Sequence, residues 1–580
     1  MTTYDVVIKG GTIIDGLRTP RFRGDIGIVD GRIAALGGRI PAGDGARVVD
    51  ASGLIVAPGF VDLHTHYDSQ LFWDPWCTIS GWHGVTTVVI GNCGFGFAPV
   101  KPTQRDRAML TMARNEAVPL ESMQVGMPWD WETFPEFLDS VERTRKGVNV
   151  MSYVGLNPLM GYVMGFESAK DRPATDAERA EMCRLIVEAM DAGACGWSAQ
   201  VSGVTSVQLD YDGTPMITDT MAEQDIVAFA DVLGSLGRGF MQVAGKPELC
   251  ELLADVSGRP VVWNILAAAT DQHGAPTLAH APALEWLERV NGERGLRVFA
   301  QALTVDVRFE FTLEDWNLFD SSPLWRDVTL GDVDQRLDKM SDPARRAALR
   351  EEYDEGRGPV AGGGTEERDV RVGSSIAELL CEWVTFDADP ELRKWEGHTI
   401  AEIATAQGKH PVDAMLDLAV ATKLRTGFAT PVRHTSVDAM SAIANSPYAL
   451  PGVSDGGAHT KFITLGTYPT ELLTKWVRTH GIMSLEDAHW RLAAYPAMAA
   501  GVLDRGFLRE GMPADVVVYD YDALDVGVSR RVDDYPAGAW RLVAGATGYR
   551  HIFVNGVETF TDGVCTGATP GRLLRHGRAS

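Results

Sequence analysis

Eight short apolar runs punctuate the middle of the chain: Leu54 to Val61, Val85 to Ile90, Val148 to Val154, Ala194 to Ser198, Gly239 to Val243, Pro260 to Leu266, Leu296 to Ala302 and Ala449 to Ser454. Segments with the apolar spacing of amphipathic helices lie between them, such as Ala177 to Met190 and Met221 to Leu236. Strand-length runs alternating with helices build a parallel sheet, because a parallel partner is reached only by a crossover connection. Eight such units predict an α/β fold closed as a (β/α)8 TIM-like barrel over residues 58–504. The stretch from about 304 to 448 is too long for one connection, and Trp316, Phe319 and Trp325 mark it as a folded insert after strand 7. Such an insert leaves from the catalytic end, so the residues from Trp316 to Trp325 are expected to cover the barrel mouth; an oligomer interface is the alternative use of their apolar surface.

The two ends have a different texture. Val6 to Lys9 and Thr12 to Ile14 are short β-like runs divided by Gly10-Gly11, and Asp30-Gly31 is a further turn. Ala514 to Tyr519 and His551 to Gly556 repeat the pattern, so residues 1–57 and 505–580 are expected to complete one β-sandwich bracketing the barrel.

Lys and Arg total 53 against 78 Asp and Glu, a net charge of −25. That field repels phosphate backbones and anionic membrane surfaces, which argues against nucleic acid and membrane partners. The first residues carry no basic segment followed by an apolar stretch, and the seven cysteines are odd in number and scattered. Both point to reduced thiols and a cytoplasmic location. The partners expected are a small-molecule substrate and, through the insert, further copies of the chain in a homo-oligomer.

The first apolar run ends in Asp62-Leu63-His64-Thr65-His66. Strand side chains alternate, so His64 and His66 share a face, and at the carboxyl end of a barrel strand both can aim at one metal ion. Neutral imidazole suits zinc, and zinc in turn acidifies water. The eighth run is followed by Asp455, placed either to hold the metal or to exchange a proton with its water; an Asx turn is the plainer role, since Gly456 follows. Cys93, in Gly91-Asn92-Cys93-Gly94, is either a thiolate ligand or an inert buried thiol. His459 either polarises a substrate carbonyl and orients Asp455 or caps a helix. His83 and His410 are expected to be structural. Tyr67, Phe72, Trp73, Trp76 and Trp82 cluster after the paired histidines and either line a pocket or anchor the loop.

The segments PGFVDLHTH, GVTTVVIGNCG and SDGGAH, in this order and with ADVVVYD near the end, resemble the amidohydrolase superfamily and, more narrowly, its D-aminoacylase or N-acyl-D-amino-acid deacylase branch. The likeness extends through GKHPVDAMLDLA and the tail from Gly567 to Arg572. It implies a metal-dependent hydrolase on a (β/α)8 barrel, with His64, His66 and Asp455 as metal ligands, Asp455 as general base and Cys93 as a zinc ligand. The branch also carries histidine ligands at the ends of strands five and six, where this chain has Gln242 and Asn264. Amide oxygens of Gln242, Asn264 or Gln301 are weak zinc donors, so one principal Zn2+ is expected, with another divalent transition metal as the alternative. The activity expected is metal-assisted hydrolysis of an amide-like C–N bond in a small N-acyl compound, with Asp455 and His459 at the reacting atoms. Metal-dependent decarboxylation or C–C cleavage and a catalytically silent metal-binding protein are the alternatives.

Overall fold

The computed structural model describes residues 4–41, 46–206, 208–270, 276–278, 280–314, 319, 322–356, 375–384, 390–432 and 434–577. Strands from both ends of the chain form one mixed sheet. Its path runs Val564–Cys565, Val557–Thr561, Tyr549–Val554, Val516–Tyr519, Ile55–Pro58, Val6–Ile13, Phe22–Val29 and Arg32–Leu36, and Arg47–Asp50 pairs with the start of Val6–Ile13. Period-2 alternation puts Val6, Ile8, Ile26, Ile28, Val56, Val516, Val518 and Phe553 into one buried cluster.

The run from Leu54 to Val61 is two strands rather than one. Ile55–Pro58 pairs antiparallel with Val516–Tyr519 in the terminal sheet, whereas Phe60–Asp62 pairs parallel with Val85–Ile90. Both strands are buried throughout, so hydrophobicity does not break between them. The change of sheet occurs at Gly59, where a Cβ would stand 2.2 Å from the Thr86 hydroxyl. Glycine alone permits that approach.

Parallel pairing then continues through Val85–Ile90 and Asn149–Ser152. After Tyr153 it resumes through Val154–Gly155, Gly196–Val201, Phe240–Gly245, Val261–Leu266, Val298–Ala302 and Ala449–Pro451. A parallel bridge between Thr65 and Gly456 links the segments that follow the first and last of these strands. Each of the eight apolar runs overlaps a parallel strand, and intervening helices such as Asp176–Ala192 and Glu223–Leu236 bury one stripe. The architecture is a mixed α/β fold of the TIM-barrel type.

The insert has a hydrophobic core of its own. Helices Pro323–Thr329, Val333–Ser341, Pro343–Asp354, Ile400–Gln407 and Pro411–Ala421 surround a small antiparallel sheet of Glu310–Phe311, Gly427–Ala429 and Leu380–Trp383. Phe319 and Trp325 pack together in this core with ring centroids 4.8 Å apart. Trp316 lies outside the described residues. Phe462, beyond the last parallel strand, joins the same core, and its carbonyl accepts from the Glu310 amide at 2.8 Å. The seven cysteines are free thiols. Among the described residues no helix is long and apolar enough to cross a membrane.

Candidate metal centre

His64 and His66 follow Phe60–Asp62 and are both 1% exposed. Their rings meet edge to face, with centroids 5.3 Å apart. Asp455 Oδ1 stands 3.1 Å from His64 Nε2 and 3.8 Å from His66 Nε2. Cys93 Sγ is 3.5 Å from His64 Nε2, and the donor atoms of His64, His66 and Cys93 all lie within 4.8 Å of one another. Around a four-coordinate zinc with bonds of about 2.0–2.3 Å, neighbouring donors stand about 3.3–3.7 Å apart. Two imidazoles and a thiol thus form one cluster of metal-binding donors, and the Asp455 carboxylate lies against the two imidazoles.

The backbone presents these groups through conformations that ordinary residues avoid. Cys93, Asp455 and His459 all have positive φ, at 55°, 45° and 55°. Each such residue costs of order 1–3 kcal/mol, which surrounding contacts must over-determine. The Cys93 loop is pinned on several sides. The Gly91 amide donates to Asp68 at 3.1 Å, the Cys93 amide to Gln242 Oε1 at 2.6 Å, and the Gly94 amide to Ser198 Oγ at 2.9 Å. At the other loop, Ser454 Oγ donates to the His64 carbonyl and accepts from the Gly456 amide, while the His66 amide donates to the Gly456 carbonyl at 2.6 Å. The first and last strands thus hold His64, His66 and Asp455 in a fixed relation.

Charges inside the site oppose burial. Burial would raise the Asp455 carboxyl, but the hydrogen bond and charge of His64, with His459 and His66 beside it, hold it well below the usual carboxylate range. Burial would lower His64, yet Cys93 and Asp455 together keep it well above its ordinary value. His66 is driven well down by burial and by the charge of His64. Burial also pushes the Cys93 thiol up, against the pull of His64. A metal cation would replace the proton on His64 as the partner of these anions.

Gln301 Oε1 lies 2.8 Å from His64 Nδ1, and Nε2 faces Cys93 and Asp455. Asn264 Nδ2 is 2.6 Å from the same Nδ1. Gln242 Nε2 and Asn264 Nδ2 are 3.8 and 3.9 Å from Cys93 Sγ. Strands five and six therefore place amides against the thiol where the resemblance calls for imidazoles.

His459 comes to the same centre, its Nε2 3.9 Å from Asp455 Oδ2 and its ring 4.7 Å from that of Phe462. Its Nε2 is also 3.2 Å from Glu116 Oε2, a buried carboxylate absent from the residues picked out by sequence. His83 is structural, with its ring nitrogens 2.7 Å from Thr470 Oγ1 and 3.0 Å from the Ala544 carbonyl. His410 caps the helix Pro411–Ala421 by accepting from the Val412 amide. The aromatic residues after His66 anchor their loop: Phe72 stacks on Trp131, Trp73 meets Tyr535 edge-on, and Trp76 donates to the Ala568 carbonyl.

The amidohydrolase family profile matches residues 47–231 and 381–562. A D-aminoacylase of Alcaligenes xylosoxydans xylosoxydans is 28% identical over 98% of this chain and 97% of its own. The structure resembles that of N-acyl-D-glutamate deacylase from Bordetella bronchiseptica, complexed with zinc and a phosphonate mimic of the tetrahedral intermediate. Their TM-score is 0.65 at 24% identity, over 99% of this chain and 100% of that one. It also resembles a D-aminoacylase described by its binuclear metal centre, with one-metal activation and second-metal attenuation, at a TM-score of 0.64 and 22% identity over 99% and 100% of the two chains. The chain belongs to the amidohydrolase family, in its D-aminoacylase-like branch, and is a hydrolase of C–N bonds other than peptide bonds.

Proposed function

We propose that this protein removes the acyl group from an N-acyl-D-amino acid, using one principal zinc held by His64, His66, Asp455 and Cys93 in an eight-stranded barrel spanning residues 58–504, between β segments 1–57 and 505–580. The observation that carries the reading is the cluster of His64, His66 and Cys93, whose donor atoms lie within 4.8 Å of one another, with Asp455 Oδ1 3.1 Å from His64 Nε2 and 3.8 Å from His66 Nε2. Bound zinc supplies Lewis acidity toward the scissile carbonyl and the attacking water. Asp455, kept ionised by the imidazoles around it, takes the proton from that water and returns it to the leaving nitrogen. His459, 3.9 Å from Asp455, orients this carboxylate beside the carbonyl being attacked. The test is a panel of N-acyl-D-amino acids and their L counterparts, given to zinc-reconstituted protein. Free amine from D substrates is expected; carbon dioxide without amine would establish the lyase alternative instead.

The metal count follows from strands five and six. Gln242 and Asn264 offer neutral amides beside Cys93, and these cannot compete with imidazole for zinc. The combined substitution Gln242→His and Asn264→His is expected to raise tightly held zinc from about one to about two per chain, by giving Cys93 two imidazole neighbours. Elemental analysis that finds an unchanged count, or about two zinc ions already in the unaltered protein, would contradict the one-metal reading.

A further inference from the structure

Helix Arg105–Glu116 enters the site from outside the parallel strands, and its final residue carries a carboxylate that the reaction above does not use. Glu116 is 2% exposed. Two contacts join it to His459: the His459 amide donates to the Glu116 carbonyl at 2.5 Å, and Oε2 lies 3.2 Å from His459 Nε2. Its other carboxylate oxygen is 4.0 Å from Nδ1 of His66, an atom with no hydrogen-bond partner among the described residues. Asp455 stands beyond both rings, 3.8 Å from His66 Nε2 and 3.9 Å from His459 Nε2. Two imidazoles are thus enclosed by two carboxylates, one from the loop after the last strand and one from this helix. Among the described residues, the ion-pair partners of Glu116 are these two histidines. The other titratable groups that act on it or feel it are His64, Asp68 and Cys93.

The arrangement is chemically purposeful. His459 sits in a left-handed backbone conformation within a mostly buried loop, so its ring direction is set by what it touches. His66 can present Nε2 to a metal only if Nδ1 carries the proton, and a carboxylate facing Nδ1 favours that tautomer. We propose that Glu116 is a positioning residue whose side chain clamps the ring of His459 and holds His66 with Nε2 turned toward the metal position. The His66 half rests on the metal-site reading; the His459 half does not.

Histidine-labelled, metal-free protein tests both halves by nitrogen NMR, with His66→Gln and His459→Gln used for assignment. In the unaltered protein each ring is expected to show one tautomer, with the proton of His66 on Nδ1. Glu116→Ala should shift and average the His459 signals and weaken zinc binding about tenfold or more in a chelator competition, while Glu116→Gln, which keeps a hydrogen-bonding group in place, restores the His459 signals. Unmoved His459 and His66 signals in Glu116→Ala, with zinc affinity within about twofold, would overturn the proposal. A mixture of tautomers at His459 in the unaltered protein would also overturn it, even if Glu116→Ala does not fold. Failure of the zinc site itself would be separate, seen as zinc retained after both His64 and His66 are replaced.

Discussion

Asp455→Asn protein is expected to fold and to lose turnover by about 10²–10⁴-fold at saturating substrate, the range spanned by removal of a general base. The amide keeps the size of the side chain and one acceptor oxygen, so the loop that joins Gly456 to His66 need not move. It cannot take a proton from water or hand one to nitrogen. In the unaltered protein the low carboxyl pKa comes from His64, His459 and His66, and this makes Asp455 an ionised acceptor across the neutral range. A kcat near that of the unaltered protein would remove Asp455 from the chemistry. Elemental analysis of the same variant separates loss of the base from loss of metal.

Replacing both His64 and His66 by Ala should abolish stoichiometric zinc and, with it, amine release. Each ring is buried and each has a nitrogen within 4 Å of Asp455, so the double variant deletes two of the donors proposed to hold the metal. Asp455 then also loses the charges that oppose its burial, and its carboxyl should titrate at higher pH than in the unaltered protein. Zinc retained at one ion per chain in a folded double variant would refute the assignment of these two ligands. Circular dichroism and a melting curve establish that the variant is folded.

The paired histidines were readable because strand alternation is local: two residues apart on an extended chain means the same face, whatever the rest of the molecule does. Asp455 and Cys93 could be placed at strand ends for a similar reason, and the resemblance then supplied their shared metal. Glu116 was not readable. It ends a helix of mostly polar residues, and only the packing of that helix against the loop holding His459 gives the carboxylate its place. The division at Gly59 was hidden for a different reason: both flanking strands are buried on all sides, and a continuous apolar run carries no mark of where one sheet yields to another. Phe319 and Trp325 marked the insert as folded, and they fill a core within it.

The crossing at Gly59 also has a consequence for biosynthesis. Ile55–Pro58 leaves the ribosome early, yet its partner Val516–Tyr519 is made only after every parallel strand has emerged. At about 5–20 residues per second, the nascent chain waits on the order of 20–90 s with that strand's edge open. An open edge invites pairing with other chains, so nascent protein should need chaperone shelter until its last fifth has been translated. The strand that waits is joined through one glycine to the strand that precedes His64 and His66, so late pairing of the terminal sheet acts next to these two residues.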